Sequence, residues 1–313
     1  MGYSWVSQLK NNKIITIILA IIAAGCIAAC ASGGTNGVHS DDDFTVIQTG
    51  QGVTITGYRS GTIKDVVIPP VLQGRPVVAI GPGAFYKTKI TSVVIPEGIR
   101  SIDNKAFNDN ELTKVIIPKS VVSIGEFAFS YNNLKEITIP ESVVSIGDFA
   151  FSYNKLKSIA VPASVTYIGA DAFSHNDLRT ISLTGSAPVI GKWAFAFNQL
   201  KTVTIPAGVT GIEQNVFFEN KIESISLPAS LRTIGAYAFS RNKIKQVRLP
   251  SGTNSLGIYA FSDNPLTSIT IGSQVTLHTK AFPDDFIQRY TVGNKESGTY
   301  VLLRDSNRWN KSL

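Results

Sequence analysis

Residues 123–134 read SIGEFAFSYNNL, and residues 145–156 read SIGDFAFSYNKL. The two stretches differ at two positions and lie 22 residues apart. Working outward, the second phenylalanine recurs at the same step as Phe85, Phe107, Phe129, Phe151, Phe173, Phe195, Phe217, Phe239 and Phe261, with Phe282 one residue early. Asparagine keeps the step from Asn110 to Asn264, and proline keeps it at Pro96, Pro118, Pro140, Pro162, Pro206, Pro228 and Pro250. The shared pattern is L-x-x-I-x-I-P-x-x-V-x-x-I-G-x-x-A-F-x-x-N-x. Self-similarity at a fixed short period is the mark of a solenoid, in which each unit buries its apolar face only against its neighbours.

Each letter has a physical task. The I-x-I segment, such as Ile137-Thr138-Ile139, alternates with period two, so its isoleucines point inward and the middle residue faces solvent. Stacked copies are expected to pair as a parallel sheet with strands about 4.8 Å apart. The following proline has no N–H and ends the strand. Val143 and Ile146 are expected to cross the opposite wall, and Gly147 to permit a tight bend at positive φ. Ala150-Phe151 is expected to form a short helical turn whose ring fills the core, worth about 2–3 kcal/mol per buried phenylalanine. A buried Asn154 amide can bond backbone groups of the next turn and so form a ladder up the stack.

Pattern and register together resemble the BspA-like leucine-rich repeats, also called the TpLRR class, found in surface proteins of host-associated bacteria. The resemblance spans residues 77–282, where the I-P, I-G, A-F and N positions coincide. Phe44 to Gly83, with GVTITGY and VVAIGPGAF, is similar to the family's N-terminal start. RYTVGNKESGTYVLLRDSNRW is similar to a C-terminal module seen after such repeats. Local departures are Thr184 for proline, Glu213 for glycine, Val216 for alanine, and His278 in the short last unit. The expected fold is thus an α/β leucine-rich-repeat solenoid: a β-rich right-handed superhelix of 22-residue repeats, with a parallel sheet on one face and end caps. End units need covers for apolar faces and strand edges. Residues 44–76 and 283–313 have the aromatic and β-branched content for an N-terminal cap and a C-terminal cap.

The first thirty residues differ from the rest. Lys10 and Lys13 precede an apolar run, Ile14 to Ala31, broken only by Thr16. This reads as an export signal or an uncleaved anchor, and either places the remainder outside the cytoplasm. Ile27-Ala28-Ala29-Cys30 resembles a bacterial lipoprotein cleavage box, in which Cys30 would carry the lipid. Cys26 is the other candidate, and an ordinary signal peptide is the plain alternative. The chain has 2 cysteines, both in this leader, so neither disulfides nor cysteine-based zinc sites are expected in the body. Residues 31–43, rich in Gly, Ser, Thr, Asn and Asp, read as a flexible tether.

Chemistry is sparse. The net charge is +7, about +5 without the two leader lysines, and is too dilute for nucleic-acid binding. His39, His175 and His278 are far apart in register, and no phosphate loop, HExxH motif or nucleophile elbow occurs. Asp41-Asp42-Asp43 and Asp284-Asp285 read as solvated charge runs. No enzyme activity, cofactor or metal is expected.

Recognition would then reside in what varies between repeats. One column reads Thr113, Lys135, Lys157, Arg179, Lys201, Glu223, Lys245. It is either a basic rim for an acidic protein or anionic glycan, or a set of solubilising side chains. A second reads Phe127, Phe149, Asp171, Trp193, Asn215, Tyr237, Tyr259. Its aromatics are either semi-exposed anchors for a partner or packing between turns. Tyr131, Tyr153, His175 and Phe197 pose the same choice. The expected function is a non-enzymatic cell-surface module, monomeric and lipid-anchored. By resemblance it binds host matrix proteins, host cells or other bacteria. A structural envelope lipoprotein in the periplasm is the alternative.

Overall fold

The computed structural model describes residues 39–312 apart from 60, 62, 184, 186, 187, 304 and 305. Cys26, Cys30 and the export leader lie outside the described residues. The body begins at His39, so the last five residues assigned to the tether belong to it. The His39 ring lies 5.8 Å from both Phe44 and Tyr58. Asp41–Asp43 is a short 3-10 turn, and the Asp41 carboxylate accepts the Gln73 N–H at 3.0 Å. These contacts, invisible in a polar composition, fix the segment to the cap.

Two walls carry parallel ladders. The I-x-I wall pairs Asp65–Val67 with Ser92–Val94, Ser158–Val161 with Thr180–Leu183, Thr202–Thr204 with Ser224–Ser226, and Gln246–Arg248 with Ser268–Ile271. The first of these strands lies in the stretch assigned to the N-terminal cap, so solenoid pairing starts there. The opposite wall adds a second, narrower sheet. Its two-residue strands stack in register from Ser101–Ile102 through Ser123–Ile124, Ser145–Ile146 and Tyr167–Ile168 to Val189–Ile190. Among the described residues no ladder joins Val189–Ile190 to Gly211–Ile212, and a separate sheet resumes from there. The gap coincides with Glu213 in glycine's place. Asp103 occupies the same position without a break, so the substitution alone does not account for it.

The wall between strand and asparagine is not the helical turn expected. Residues 126–129 form a non-helical turn whose N–H groups reach the next turn: Phe127 to Asp148 at 2.8 Å, Phe129 to Ala150 at 2.8 Å and Tyr131 to Ser152 at 3.1 Å. Two residues per turn sit in the left-handed region, among them Phe127 at φ 55° and Tyr131 at φ 54°. Each costs about 1–2 kcal/mol for a side chain with a Cβ, which the inter-turn bonds on both sides must exceed.

The repeated glycine has another role than the one expected. Gly147 is absent from the positive-φ positions. A Cβ built on it would lie 2.6 Å from the Glu126 nitrogen and the Gly125 carbonyl carbon. Glycine is there because two backbones touch, with no room for any side chain between them.

Inside, the ten ring column is continuous. Phe85, Phe107 and Phe129 stack at 4.9 and 5.2 Å with interplanar angles of 15° and 10°, and the series runs on to Phe282. The asparagine ladder also forms. Asn154 Nδ2 donates to Phe129 O at 2.9 Å and Phe151 O at 3.1 Å, while its Oδ1 accepts the Leu134 N–H at 3.0 Å. At one end, a hairpin of Phe44–Thr49 and Gly52–Tyr58 sets Tyr58 5.2 Å from Phe85. At the other, the helix Asp284–Val292 brings Phe286 edge-on to Phe282, Tyr300 and Trp309. Gly298–Leu303 then pairs antiparallel with Ser268–Ile271 and closes that sheet with Arg308–Lys311.

The glycine account makes a contrast. Gly147→Ala should lower stability by about 1–3 kcal/mol through overpacking, read as a drop in urea midpoint. Gly50→Ala, with nothing within 4 Å of the added carbon, should leave the midpoint unchanged. Equal effects would sink the explanation.

Candidate functional site

Residues 22 apart become neighbours once the turns stack, so each variable position turns into a column on the surface. In the basic column the Arg179 N–H donates to Lys157 O at 2.9 Å, and the Glu223 N–H to Lys201 O at 2.9 Å. These bonds set the side chains on consecutive turns. Lys135, Lys157, Arg179, Lys201 and Lys245 are all exposed. None forms a salt bridge among the described residues: the cations that do are Lys64, Lys87, Lys114, Arg241, Lys311 and His39. Glu136, adjacent to Lys135 in sequence, pairs with Lys114 at 3.6 Å. Glu223 separates Lys245 from the other four.

The aromatic columns behave otherwise. Phe127 and Phe149 stack at 4.6 Å and 3°, and Tyr237 and Tyr259 at 4.9 Å. Lys105 caps Phe127 at 5.6 Å and Lys280 caps Tyr259 at 5.9 Å. Trp193 stacks on Phe197 at 5.9 Å and meets Phe218 edge-on at 5.5 Å. All five aromatics of this column are half-buried, and their ring faces are turned along the stack. What they offer a partner is edges, which gives packing between turns the stronger claim.

The third column shows the same self-sufficiency. Tyr131, Tyr153, His175 and Phe197 stack at 4.5, 4.2 and 4.3 Å. Beyond the rings it continues in charge pairs. Lys87 meets Asp109 at 3.6 Å on one side, and Arg241 lies 3.5 Å from Glu219 and 3.8 Å from Asp263 on the other. Neighbours along this column are matched by stacking or by opposite sign.

A feature that sequence reasoning passed over lies on the I-x-I wall. Its outward column begins Val67, Val94, Ile116, paired in that order by the ladder, before it turns to Thr138 and Ala160. Val67 is 55% exposed and Ile116 57%. The signal was present: VVIP, VVIP and VIIP carry three apolar letters before the proline, where later copies alternate. The stripe runs into a groove of about 880 Å³ lined by Ile116, Ile117, Ile137 and Thr138, with Lys114, Glu136 and Glu141 at its rim. Ile137–Ile139, read as a strand, has no ladder partner on either side among the described residues. This unladdered segment lines the groove.

Among the described residues no group of three His, Cys, Asp or Glu side chains is placed to hold a metal, and no helix is long and apolar enough to cross a membrane.

A family model for the BspA type leucine rich repeat region matches in 6 copies over residues 78–198 and 178–287. The chain belongs to this family. A leucine-rich repeat protein from Bacteroides ovatus is 28% identical with a TM-score of 0.69, over 79% of this chain and 68% of that one. The Treponema pallidum leucine rich repeat protein is 23% identical with a TM-score of 0.46, over 66% of this chain and 89% of that one. The pneumococcal vaccine antigen PcpA is 19% identical with a TM-score of 0.45, over 76% and 86%. No curated protein matches. As a BspA-type leucine-rich-repeat solenoid, the chain has the build of a protein-interaction module.

The stacked imidazole makes a pH prediction. Burial between its neighbours holds the His175 pKa below the ordinary 6.5, with Glu219 opposing. On acidification the unfolded chain takes up this proton first, so the contribution is complete above about pH 6.5 and is lost as pH falls toward the folded value. An NMR titration should give His175 a midpoint below 6.5, and His175→Phe should flatten the stability profile between there and neutrality. A midpoint above 6.5 would mean that the flanking rings stabilise the cation more than burial penalises it.

Proposed function

We propose that this chain is a non-enzymatic adhesion module of the cell surface. It would be held at the envelope by a lipid on Cys30 and bind proteins of host matrix, host cells or other bacteria. The observation that carries the binding reading is the Val67, Val94, Ile116 stripe entering a groove lined by Ile116, Ile117, Ile137 and Thr138. Exposed apolar side chains gathered on one face mark interaction sites. A partner would therefore seat an apolar side chain in the groove between Ile116 and Ile137.

The mechanism is passive. Successive turns of the solenoid are tied by inter-turn backbone hydrogen bonds, by stacked rings and by asparagine clamps. The surface is formed before the partner arrives, and little ordering entropy opposes binding. The lipid would supply retention at the envelope.

Ile116→Asp, at a position whose side chain already faces solvent, should keep the urea midpoint within about 0.5 kcal/mol of the parent. It should cut capture on immobilised host matrix proteins at least tenfold. Unchanged capture with intact folding moves the binding site elsewhere. Cys30→Ala should abolish lipid labelling, and labelling that survives transfers the anchor to Cys26. Protease added to intact cells should degrade the body; full protection would instead make it a structural lipoprotein of the periplasm.

A further inference from the structure

We propose that Lys135, Lys157, Arg179 and Lys201, with the hydroxyl face beside them, form a second site that binds a linear anionic glycan carrying sulfate or carboxylate groups. This goes beyond the protein-binding groove and rests on different residues.

Elsewhere charges on consecutive turns often pair with the opposite sign, as in Lys87 with Asp109 and in Glu219, Arg241, Asp263, and runs of one sign stop at two, as in Glu126 with Asp148 and Lys221 with Lys243. Only here do four cations follow one another on consecutive turns with no salt-bridge partner among the described residues. At the laddered step from Lys157 to Arg179, with strands about 4.8 Å apart, like charges repel by about 0.8–0.9 kcal/mol in water before screening by salt. A polyanion lying along the row relieves that repulsion at every step. Thr113 ends the row on one side and Glu223 on the other, so the footprint is four turns.

The neighbouring surface decides between a glycan and an acidic protein. On the strand side of the row the outward residues are Thr138, Ser158, Thr180, Ser182, Thr202 and Thr204, with Ala160 and, beside Lys135, the acid Glu136 among them, all exposed; Glu136 is held by Lys114 at 3.6 Å. The rest is a flat field of hydroxyl groups that donate and accept, suited to a chain dense in hydroxyl and acid oxygens. It holds no aromatic or large aliphatic side chain. A protein interface draws most of its affinity from such anchors at its centre. Those anchors exist in this molecule, but at Val67, Val94 and Ile116, N-terminal to the row. The wall is thus divided into an apolar third for protein and a basic, hydroxyl-rich stretch for polysaccharide.

The test uses the full chain in detergent, with heparin as the probe and poly-glutamate as the competing class. Lys135→Gln, Lys157→Gln, Arg179→Gln and Lys201→Gln combined should weaken heparin binding by about tenfold or more and make its salt dependence shallower. Lys89→Gln, Lys192→Gln, Lys280→Gln and Lys295→Gln combined remove the same charge elsewhere, and should cost less than threefold. Equal losses in the two variants overturn the proposal in favour of net charge, and no loss in the first overturns it outright. Tighter binding of poly-glutamate than of heparin by the parent would assign the row to an acidic protein instead. Ile116→Asp should leave heparin binding unchanged while it abolishes protein capture, so that the two sites stand or fall separately.

Discussion

The structure depends on one side chain, the asparagine that closes each turn. Where the chain leaves the left-handed residue at Tyr131, Tyr153 and their equivalents, the phenylalanine carbonyls turn away from any sheet. Asn132 Nδ2 takes up Phe107 O at 2.9 Å and Phe129 O at 3.1 Å, and its Oδ1 receives the Leu112 N–H at 3.0 Å. One amide thus satisfies groups on two successive turns. Left unpaired in the interior, each would cost about 1–3 kcal/mol. No other side chain of that length offers two donors and an acceptor in one plane, which is why the residue recurs without substitution from Asn110 to Asn264.

That clamp sets the pitch, and the pitch sets the rest. Turns held this close leave no room for a Cβ at Gly125, Gly147 or Gly169. They bring phenylalanine rings to stacking distance, and they turn every variable position into a column of near neighbours. Along such a column each residue must match the one above and below. Rings do so by stacking, and several charges by pairing with the opposite sign. The surface is therefore mostly satisfied by itself, and the places where it is not become informative: the unpaired basic row, and the apolar stripe with its groove.

Much of the architecture was legible in the letters. The 22-residue step, the inward isoleucines, the phenylalanine core and the asparagine ladder all follow from periodicity and from what each side chain can bond. Less legible were features set by backbone contact. Gly147 looked like a residue chosen for its φ, whereas the left-handed positions are held by Phe149 and Tyr153, residue types that rarely adopt them. Ala150-Phe151 looked helical, but its N–H groups pair across turns, a choice that spacing within one repeat cannot express. His39 to Asp43 looked like tether, because a ring contact to Tyr58 and a carboxylate bond to Gln73 leave no trace in composition.

The sequence by itself determined the period, the core, the order of caps and repeats, and the identity of the variable columns. These are properties of one repeat, or of its recurrence, and local chemistry dictates them. The tertiary structure alone decided which columns are spent on packing and which remain free. Tyr131 and Tyr153 cover one another, and Phe127 and Phe149 do the same, because residues 22 apart meet only when turns stack. Lys135, Lys157, Arg179 and Lys201 meet in the same way, but like charges cannot cover one another, and that is what leaves them facing solvent.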